Sequence, residues 1–365
     1  MALPVPVSSA VLSSTPRLQP RSVLLDGADV RVSSEQVGAG RLGTVLRGTW
    51  LEQPVAIKRV LPSSEQRADP GARATLEREL RELLPHLQHP CLLPLYGLYE
   101  DPVDGAWHLV YKLGARGSLR DLLRAARGAR GAPPRGLPLA EVFAVATGIA
   151  SALAYLHAHG ISHGEMKPGA IIMDAAGTPM LDPEVGIIRS ILQYITAMQR
   201  MTAQRSTSGA FVHDAAYLAP EGFTGAQAAA GAQAAAGADA AAGAPFFSGA
   251  GDVYSFGMIL YEMVTGLSPF PQLREVEIFA KLAAGERPPL PSGAPAPLAA
   301  IVKACWAEAA ADRPSARDLL ALLAAARRQA DIAAALLAPA PPAPPAAPPS
   351  AGDTTKLSAL FRERI

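Results

Sequence analysis

Cysteine is scarce in this sequence: the 365 residues include two, Cys91 and Cys305. They lie far apart and lack the spacing of paired metal ligands, which excludes a disulfide framework or a zinc module as the organising feature. The simplest interpretation is two free thiols in a reducing compartment. We therefore expect an intracellular, cytoplasmic protein.

The sequence also has no large excess of positive or negative charge. The chain has 33 basic and 32 acidic residues, which gives a formal net charge of +1. A protein that attracts nucleic acid or an anionic membrane through its overall field carries a clear basic excess. We therefore expect no nucleic-acid partner.

The sequence has no convincing apolar run of membrane-spanning length. The apolar stretch at residues 142–155 is shorter than the roughly 20 residues that a bilayer requires, so we predict a buried helix and no membrane span. Acidic residues are missing before Asp26, and this N-terminal part contains Ser, Pro and Arg. We expect a disordered leader over residues 1–25; an organellar transit peptide has a similar composition and is the alternative.

Composition separates a folded part from a tail. Residues 26–330 alternate apolar runs with turn signals, as a folded domain does. Within them, residues 226–244 repeat an Ala/Gly unit without large apolar side chains, so we predict a surface insertion. We predict that residues 331–365 form a Pro/Ala-rich tail with a short terminal helix. Its polyproline stretch is a linker by default, and a ligand for an SH3 or WW module is the alternative.

The periodicity changes along the folded part. Its first third contains short β-branched segments punctuated by Gly and Pro, which predict strands, and then an amphipathic helix, "ATLERELRELLPHLQ". From Leu137 onward the pattern is helical. The order predicts an α+β fold with two lobes and a cleft between them. The β-rich N-terminal lobe covers about residues 26–113 and the larger helical C-terminal lobe about residues 114–330.

A glycine-rich segment, "VGAGRLGTV", places Gly38, Gly40 and Gly43 in the pattern GxGxxG. Glycine lets a hairpin backbone lie close to phosphates, so that N–H groups face the oxygens. Such turns are common, so the segment alone is weak support for a nucleotide site.

A lysine downstream of this segment strengthens the interpretation. "VAIK" ends at Lys58, and a lysine on the third strand can reach the same phosphates. A carboxylate on the following helix would hold this lysine in place. Glu79 lies on the apolar stripe of that helix and fits the role, and Glu82 is the alternative.

Further segments follow in an order that is typical of one family. They are "HLVYKLGARGSLRDLL", "SHGEMKPGAIIMD", "YLAPEGF", "DVYSFGMILYEMVTG" and "DRPSARDLL". Together they resemble a eukaryotic protein kinase domain of the tyrosine kinase-like serine/threonine group, over about residues 30–328. The resemblance implies a two-lobed kinase-like fold, ATP with Mg²⁺ in the interlobe cleft, and signalling through protein substrates or partners.

The resemblance also assigns roles to individual residues. Tyr111 would lie behind the adenine pocket, His163 would be structural, and Asp252 would brace the backbone of the catalytic loop. Glu221 would form an ion pair with Arg313. The nucleotide-binding set that the resemblance implies is Val37, Gly38, Gly40, Gly43, Val45, Ala56, Lys58, Glu79 and Tyr111, with Asp182 as the metal ligand.

The catalytic loop departs from the family pattern. Active kinases have H-R-D-L-K-P-x-N where this chain has "HGEMKPGA". Glu165 stands in place of the catalytic Asp and is one methylene longer; a misplacement of about 1 Å can lower the rate about a hundredfold. Ala170 replaces the metal-binding Asn and offers no ligand to a second Mg²⁺. Gly164 replaces the Arg that receives an activation-loop phosphate.

The Asp-Phe-Gly motif is altered as well. Asp182 is kept, but Pro183 and Glu184 occupy the next two positions. Proline fixes φ and removes an N–H, and glutamate lacks the backbone freedom of glycine. The nucleotide-binding half of the site is therefore kept, and the phosphate-transfer half is degraded.

Two functional hypotheses follow from this pattern. In the first, which we favour, the protein is a pseudokinase that binds ATP and acts as a signalling scaffold or allosteric partner. In the second, it is a low-activity or atypical serine/threonine kinase. Glu165 would then be the base, Lys167 would touch the phosphate, and Asp182 would hold a single Mg²⁺, with Mn²⁺ as the alternative ion.

Overall fold

The computed structural model describes seven stretches of the chain. They are residues 23–40, 43–60, 70–103, 105–128, 134–183, 215–222 and 248–337. The predicted Ala/Gly insertion lies outside them, as do the leader up to residue 22 and the tail from residue 338. The chain divides into two compact units, Met1–Ala326 and Arg327–Ile365.

An antiparallel sheet of five strands forms the first part of the fold. Its strands are β1 (Val30–Gly40), β2 (Gly43–Trp50), β3 (Gln53–Val60), β4 (Leu95–Glu100) and β5 (Trp107–Lys112). Their order across the sheet is β1-β2-β3-β5-β4. The β-branched side chains that predicted these strands bury one face of the sheet, with Val55, Ile57 and Val110 fully buried.

One helix interrupts the strands. Helix α1 (Pro70–Leu83) lies between β3 and β4 in sequence and continues into a 3-10 turn, Leu84–His86. Leu80 and Leu87 of the predicted apolar stripe are buried. This burial is the amphipathic packing that the sequence predicts.

Helices dominate after the sheet. They are α2 (Leu119–Ala126), α3 (Leu139–Ala158), α4 (Gly249–Thr265), α5 (Glu275–Ala283), α6 (Ala296–Cys305) and α7 (Ala316–Leu337). Helix α4 ends at Gly266 in the left-handed conformation, φ 70°, a common way for a helix to end at glycine. Helix α7 extends beyond residue 330, the predicted end of the folded part, because its Ala/Leu sequence continues to favour helix.

A short hairpin connects the sheet to the helical part. It consists of β6 (Ile171–Met173) and β7 (Pro179–Leu181), which are antiparallel. The N–H of Leu93 donates to the Leu181 carbonyl, and the N–H of Leu181 donates to the Cys91 carbonyl, both at 2.8 Å. Since Leu93 leads into β4, these two bonds join the hairpin to the approach to the sheet.

The core of the helical part lies around α3, α4 and α6. A Cβ on Gly257 of α4 would come within 2.6 Å of Cys305 Cβ, so the glycine lets α4 and α6 approach closely. Helix α3 is long and apolar enough to cross a membrane by length and composition, and half of its most apolar window is buried in the protein. A core helix meets the same criteria, and α3 contacts α4 and β7.

Candidate nucleotide and catalytic site

The glycine-rich segment forms the end of the β1–β2 hairpin. Gly38 is paired with Val45, and Gly40 is paired with Gly43. The tip between the last pair lies outside the described residues. Val37 is exposed and Val45 is half-buried. The described part is therefore a pair of glycine-containing strands, whose backbone N–H groups can approach phosphates.

Lys58 lies in the centre of the sheet, beside this hairpin. Its β3 position pairs with Val45 on one side and with Leu109 on the other. Only 5% of its surface is exposed. Burying an ammonium group is costly unless it interacts with polar or charged groups, and Lys58 does interact within the protein. Lys58 lies on the third strand as the sequence predicted, and its nucleotide-binding role stays a prediction.

Two further predicted residues neighbour Lys58 in the sheet. Ala56 lies on β3 opposite Tyr111 on β5. Tyr111 is buried, with 2% of its surface exposed. The structure thus brings Ala56, Lys58 and Tyr111 together on adjacent strands.

The carboxylate partner of Lys58 stays a prediction. Glu79 belongs to α1, but its side chain lies outside the described residues. The alternative, Glu82, is exposed.

His163 links the two carboxylate residues of the predicted catalytic site. The N–H of Glu165 donates to His163 Nδ1 at 3.2 Å, and His163 Nε2 lies 2.7 Å from the Asp182 carbonyl oxygen. Because Nδ1 accepts, these bonds assign the neutral ring with its proton on Nε2. His163 is 2% exposed, so it is the structural residue that the resemblance implied.

Asp252 fixes the backbone just before Glu165. Its carboxylate accepts the N–H of His163 at 2.8 Å and that of Gly164 at 2.7 Å. His157 Nε2 is a third partner, at 2.8 Å. The structure therefore confirms that Asp252 braces the loop, and it adds His157, which the sequence analysis missed.

Glu165 and Lys167 form an ion pair, with 2.7 Å between Oε1 and Nζ. Their side chains are 23% and 16% exposed. Both predicted catalytic residues therefore lie together in the loop, and the charge of the carboxylate is balanced locally. This arrangement keeps the base position partly shielded from water.

Of the two positions that the family uses to bind metal, Asp182 alone carries a carboxylate in this chain. The N–H of Asp182 donates to the Ala170 carbonyl at 2.8 Å, so the two family metal positions are neighbours here. The Ala170 side chain has no donor atom. Within the described ranges, no group of three or more His, Cys, Asp or Glu residues is placed to hold a metal ion.

Glu221 and Arg313 form the predicted ion pair. Nη1 and Nη2 of Arg313 donate to the two carboxylate oxygens at 2.6 and 2.9 Å. Burial acts to raise the pKa of Glu221, but the hydrogen bonds and charge of Arg313 outweigh it and lower the pKa. The pair joins the segment that carries Glu221 to the start of α7.

The sequence analysis missed one buried carboxylate. Glu262 of α4 is 5% exposed. It accepts hydrogen bonds from Tyr217 Oη and from Nη2 of Arg127, and Arg127 also donates to the Gly266 carbonyl. The available signal was a single acidic residue late in the apolar helix sequence "DVYSFGMILYEMVTG". Such a residue is rarely buried unless it is paired.

Comparison with known proteins identifies the family. The family model for protein tyrosine and serine/threonine kinases matches residues 32–323. The chain belongs to the protein kinase family. This match confirms the predicted resemblance and the two-lobed α+β kinase fold.

Several curated relatives are kinases. Human mitogen-activated protein kinase kinase kinase 7 is 27% identical over 304 residues, which is 82% of this chain and 42% of that protein. Tyrosine-protein kinase SRK2 of Spongilla lacustris is 28% identical over 284 residues, 77% of this chain and 66% of that protein. Serine/threonine/tyrosine-protein kinase HT1 of Arabidopsis thaliana is 24% identical over 290 residues, 78% of this chain and 63% of that protein.

These matches concern the kinase domain. The chain spans less than half the length of the mitogen-activated protein kinase kinase kinase 7 proteins of human and mouse. The similarity supports a tyrosine kinase-like domain in this chain.

Proposed function

We propose that this kinase domain binds ATP between its lobes and acts as a pseudokinase, a signalling scaffold or allosteric partner. One contrast carries the proposal. Lys58 is buried beside the glycine hairpin, whereas the second-metal position holds Ala170. Phosphoryl transfer depends on positioning and on charge neutralisation, so the site keeps what binds a nucleotide and lacks part of what transfers a phosphate.

The residues present suit a nucleotide. The glycine hairpin supplies backbone N–H groups, and Lys58 supplies a positive charge on the adjacent strand. Val37, Val45 and Ala56 would flank the base, with Tyr111 behind it. ATP provides the phosphoryl group in the kinase reaction, and these residues would bind and orient it.

The metal-binding capacity is smaller than in an active kinase. Mg²⁺ is commonly held by one or two carboxylates together with substrate phosphates, and Asp182 provides one carboxylate. A single Mg²⁺ or Mn²⁺ therefore fits these residues. A second ion at Ala170 does not.

A weak serine/threonine kinase is the second candidate. The Glu165–Lys167 pair supports it, because a carboxylate and an ammonium group lie 2.7 Å apart in the loop. Glu165 would accept the proton of a protein Ser or Thr hydroxyl, and Lys167 would stabilise negative charge on the phosphate.

Nucleotide binding is the first test. The melting temperature of the full chain is measured with ATP alone, with ATP and Mg²⁺, with ATP and Mn²⁺, and without ligand. Stabilisation of about 2.7 kcal/mol is expected at a hundredfold excess over Kd. The Lys58→Met variant should lose this shift. If no nucleotide shifts the wild-type protein, the proposal of ATP binding is wrong.

A repair experiment separates the two candidates. The double variant Glu165→Asp/Ala170→Asn restores the family's base and metal ligand. Transfer of the γ-phosphate from a measurable starting level, with a large gain in the variant, would favour the weak kinase. Absence of transfer in both proteins would favour the pseudokinase, provided that both bind ATP.

The cellular location and the protein partners of the domain are also proposals. An intracellular location is supported by the free thiols of Cys91 and Cys305. Protein partners are supported by the kinase family. The SH3 or WW ligand predicted in the tail falls outside the described residues.

A further inference from the structure

Three histidines and a tyrosine lie in a row where the end of α3 meets the segment that follows α1. The ring of His159 lies beside that of Tyr155, with 4.4 Å between ring centroids, and Tyr155 lies 5.2 Å from His89. At the other end of the row, the ring of His86 lies 5.5 Å from that of His159. This ring row takes no part in the function proposed above.

His159 is oriented by its own helix. It is the C-terminal cap of α3, and its Nδ1 lies 2.8 Å from the Tyr155 carbonyl oxygen. Because a carbonyl oxygen only accepts hydrogen bonds, Nδ1 carries the proton of the neutral ring and Nε2 has the lone pair. A hydrogen bond from one ring nitrogen to a backbone carbonyl is the usual arrangement of a metal-binding histidine, since it fixes the tautomer and the ring orientation.

His86 lies opposite His159, in the 3-10 turn that follows α1, and it is exposed. Among the described residues, none forms a hydrogen bond or an ion pair with its ring, and its ring contact is with His159. Both ring nitrogens of His89, in contrast, are occupied by the Cys91 N–H and by Ser151 Oγ. Within the ring row, His86 and His159 are therefore the histidines that can bind a further ligand.

The distance between these two rings suits one shared ion. A zinc–nitrogen bond is about 2.1 Å long and a ring centroid lies about 1.1 Å behind its nitrogen, so two imidazoles on one tetrahedral ion have centroids about 5.2 Å apart. The observed separation is 5.5 Å. Because His86 is on the surface, rotation about its side-chain bonds can turn a nitrogen toward Nε2 of His159. The C-terminal end of a helix also favours a cation, and His159 lies at that end of α3.

We propose that His86 and His159 together bind one divalent transition-metal ion such as Zn²⁺. Imidazole nitrogen is a common ligand of Zn²⁺, Cu²⁺ and Ni²⁺. No third His, Cys, Asp or Glu among the described residues is placed to join them, so the other coordination positions belong to water or to a side chain of a partner. We therefore expect weaker binding than at a structural zinc site, which has four protein ligands.

The ion would join two parts of the chain that only the fold brings together. His86 belongs to the segment between α1 and β4, and His159 ends α3. A ligand that binds the folded chain but not the unfolded chain shifts the equilibrium toward folding, so the ion should stabilise the contact between these two parts. The site does not depend on the proposed nucleotide site, because Mg²⁺ prefers oxygen ligands such as the Asp182 carboxylate to imidazole nitrogen.

Zinc binding to the full chain tests this site in the absence of nucleotide. Protein without a polyhistidine tag is freed of metal with a chelator, which is then removed, and ZnCl₂ is titrated by isothermal calorimetry. His86→Gln and His159→Gln should each weaken zinc binding about tenfold or more, and the double variant should bind no better than either, because the chelate needs both rings. His89→Gln is the matched control from the same ring row and should bind zinc like wild type. Both test residues are exposed, so without metal the melting temperatures of their variants should match wild type.

The outcomes separate a shared histidine site from zinc bound elsewhere. Equal zinc binding by wild type and by the double variant would show that the ion binds at other residues and would overturn the inference, as would the absence of zinc binding by wild type. A loss in only one of the two single variants would also overturn the shared site. Loss in both single variants, with binding retained in Asp182→Asn and in Lys58→Met, would support the site whether or not the chain binds ATP.

Discussion

Gly164 adopts a backbone conformation that residues with a Cβ atom rarely adopt. Its φ is 79°, in the left-handed region that costs other residues about 1 kcal/mol or more. The carboxylate of Asp252 accepts hydrogen bonds from the backbone N–H groups of His163 and Gly164. The loop therefore cannot relax without losing buried hydrogen bonds.

Substitution of this glycine should be measurable. Gly164→Ala is expected to lower the free energy of unfolding by about 1 kcal/mol, as determined by urea denaturation. Gly293→Ala is the control, because Gly293 has an ordinary φ and open space around a Cβ, and its effect should stay within about 0.5 kcal/mol. Equal effects of the two substitutions would contradict this account.

Single site residues were predictable where a motif fixes both residue type and position. Lys58, His163 and Asp252 are examples, because the order of segments around them identifies the family. The Arg127–Glu262 pair was not predictable, because its two members are far apart in sequence and only the tertiary fold brings them together.

At the scale of elements, the Glu221–Arg313 pair holds the segment before α4 against the start of α7. The Arg313 side chain is fully buried. The Glu221 side chain is 30% exposed, so removing its charge should cost less than in a fully buried pair, about 2 kcal/mol, and it leaves the buried charge of Arg313 uncompensated. We therefore expect Glu221→Gln to destabilise the protein by about this amount at neutral pH, measured by urea denaturation.

The same pair should show a defined pH dependence. Its carboxylate has a pKa below the ordinary value of 4.5, so its stabilising contribution is present above about pH 4.5 and is lost as the pH falls further. The difference between wild type and Glu221→Gln should shrink on acidification. Glu277→Gln, which breaks an exposed pair with Arg274, should differ little from wild type at any pH. If the difference in the free energy of unfolding between wild type and Glu221→Gln does not change with pH, the proposed link between this pair and pH is wrong.

Long strands and helices were easier to predict from the sequence than short ones. The β1–β2–β3 strands and the long helices follow from periodicity over many residues. The hairpin of β6 and β7 was not predicted, because three residues per strand are too few to show a period of two. The extension of α7 to Leu337 was missed because the folded part was predicted to end at residue 330, whereas the Ala-rich sequence beyond it still favours helix.

At the scale of the whole molecule, His89 helps to join the approach to the sheet to the helical part. Its Nδ1 accepts the N–H of Cys91, and its Nε2 lies 3.1 Å from Ser151 Oγ on α3. Burial lowers the pKa of His89 below 6.5. Protonation therefore favours the unfolded chain, and the stability that His89 confers is present above about pH 6.5 and is lost as the pH falls.

A histidine substitution tests this coupling. Wild type should lose stability between about pH 7.5 and about pH 5, and His89→Gln should lose less, since it no longer takes up this proton. The measurement is urea denaturation at both pH values. His86→Gln changes an exposed histidine nearby and should behave like wild type. The account fails if His89→Gln follows the wild-type pH dependence.

Asp182 has its backbone tied on both sides, by the Ala170 carbonyl and by His163 Nε2. Fixing the backbone of one residue costs about 1–2 kcal/mol of conformational entropy, and here this cost is incurred when the chain folds. The backbone of Asp182 is therefore ordered before any ligand binds. Binding a ligand to its side chain should add little further entropy cost for ordering this backbone. Because two hydrogen bonds fix the backbone of Asp182, we expect this backbone to move little when a ligand binds to its side chain.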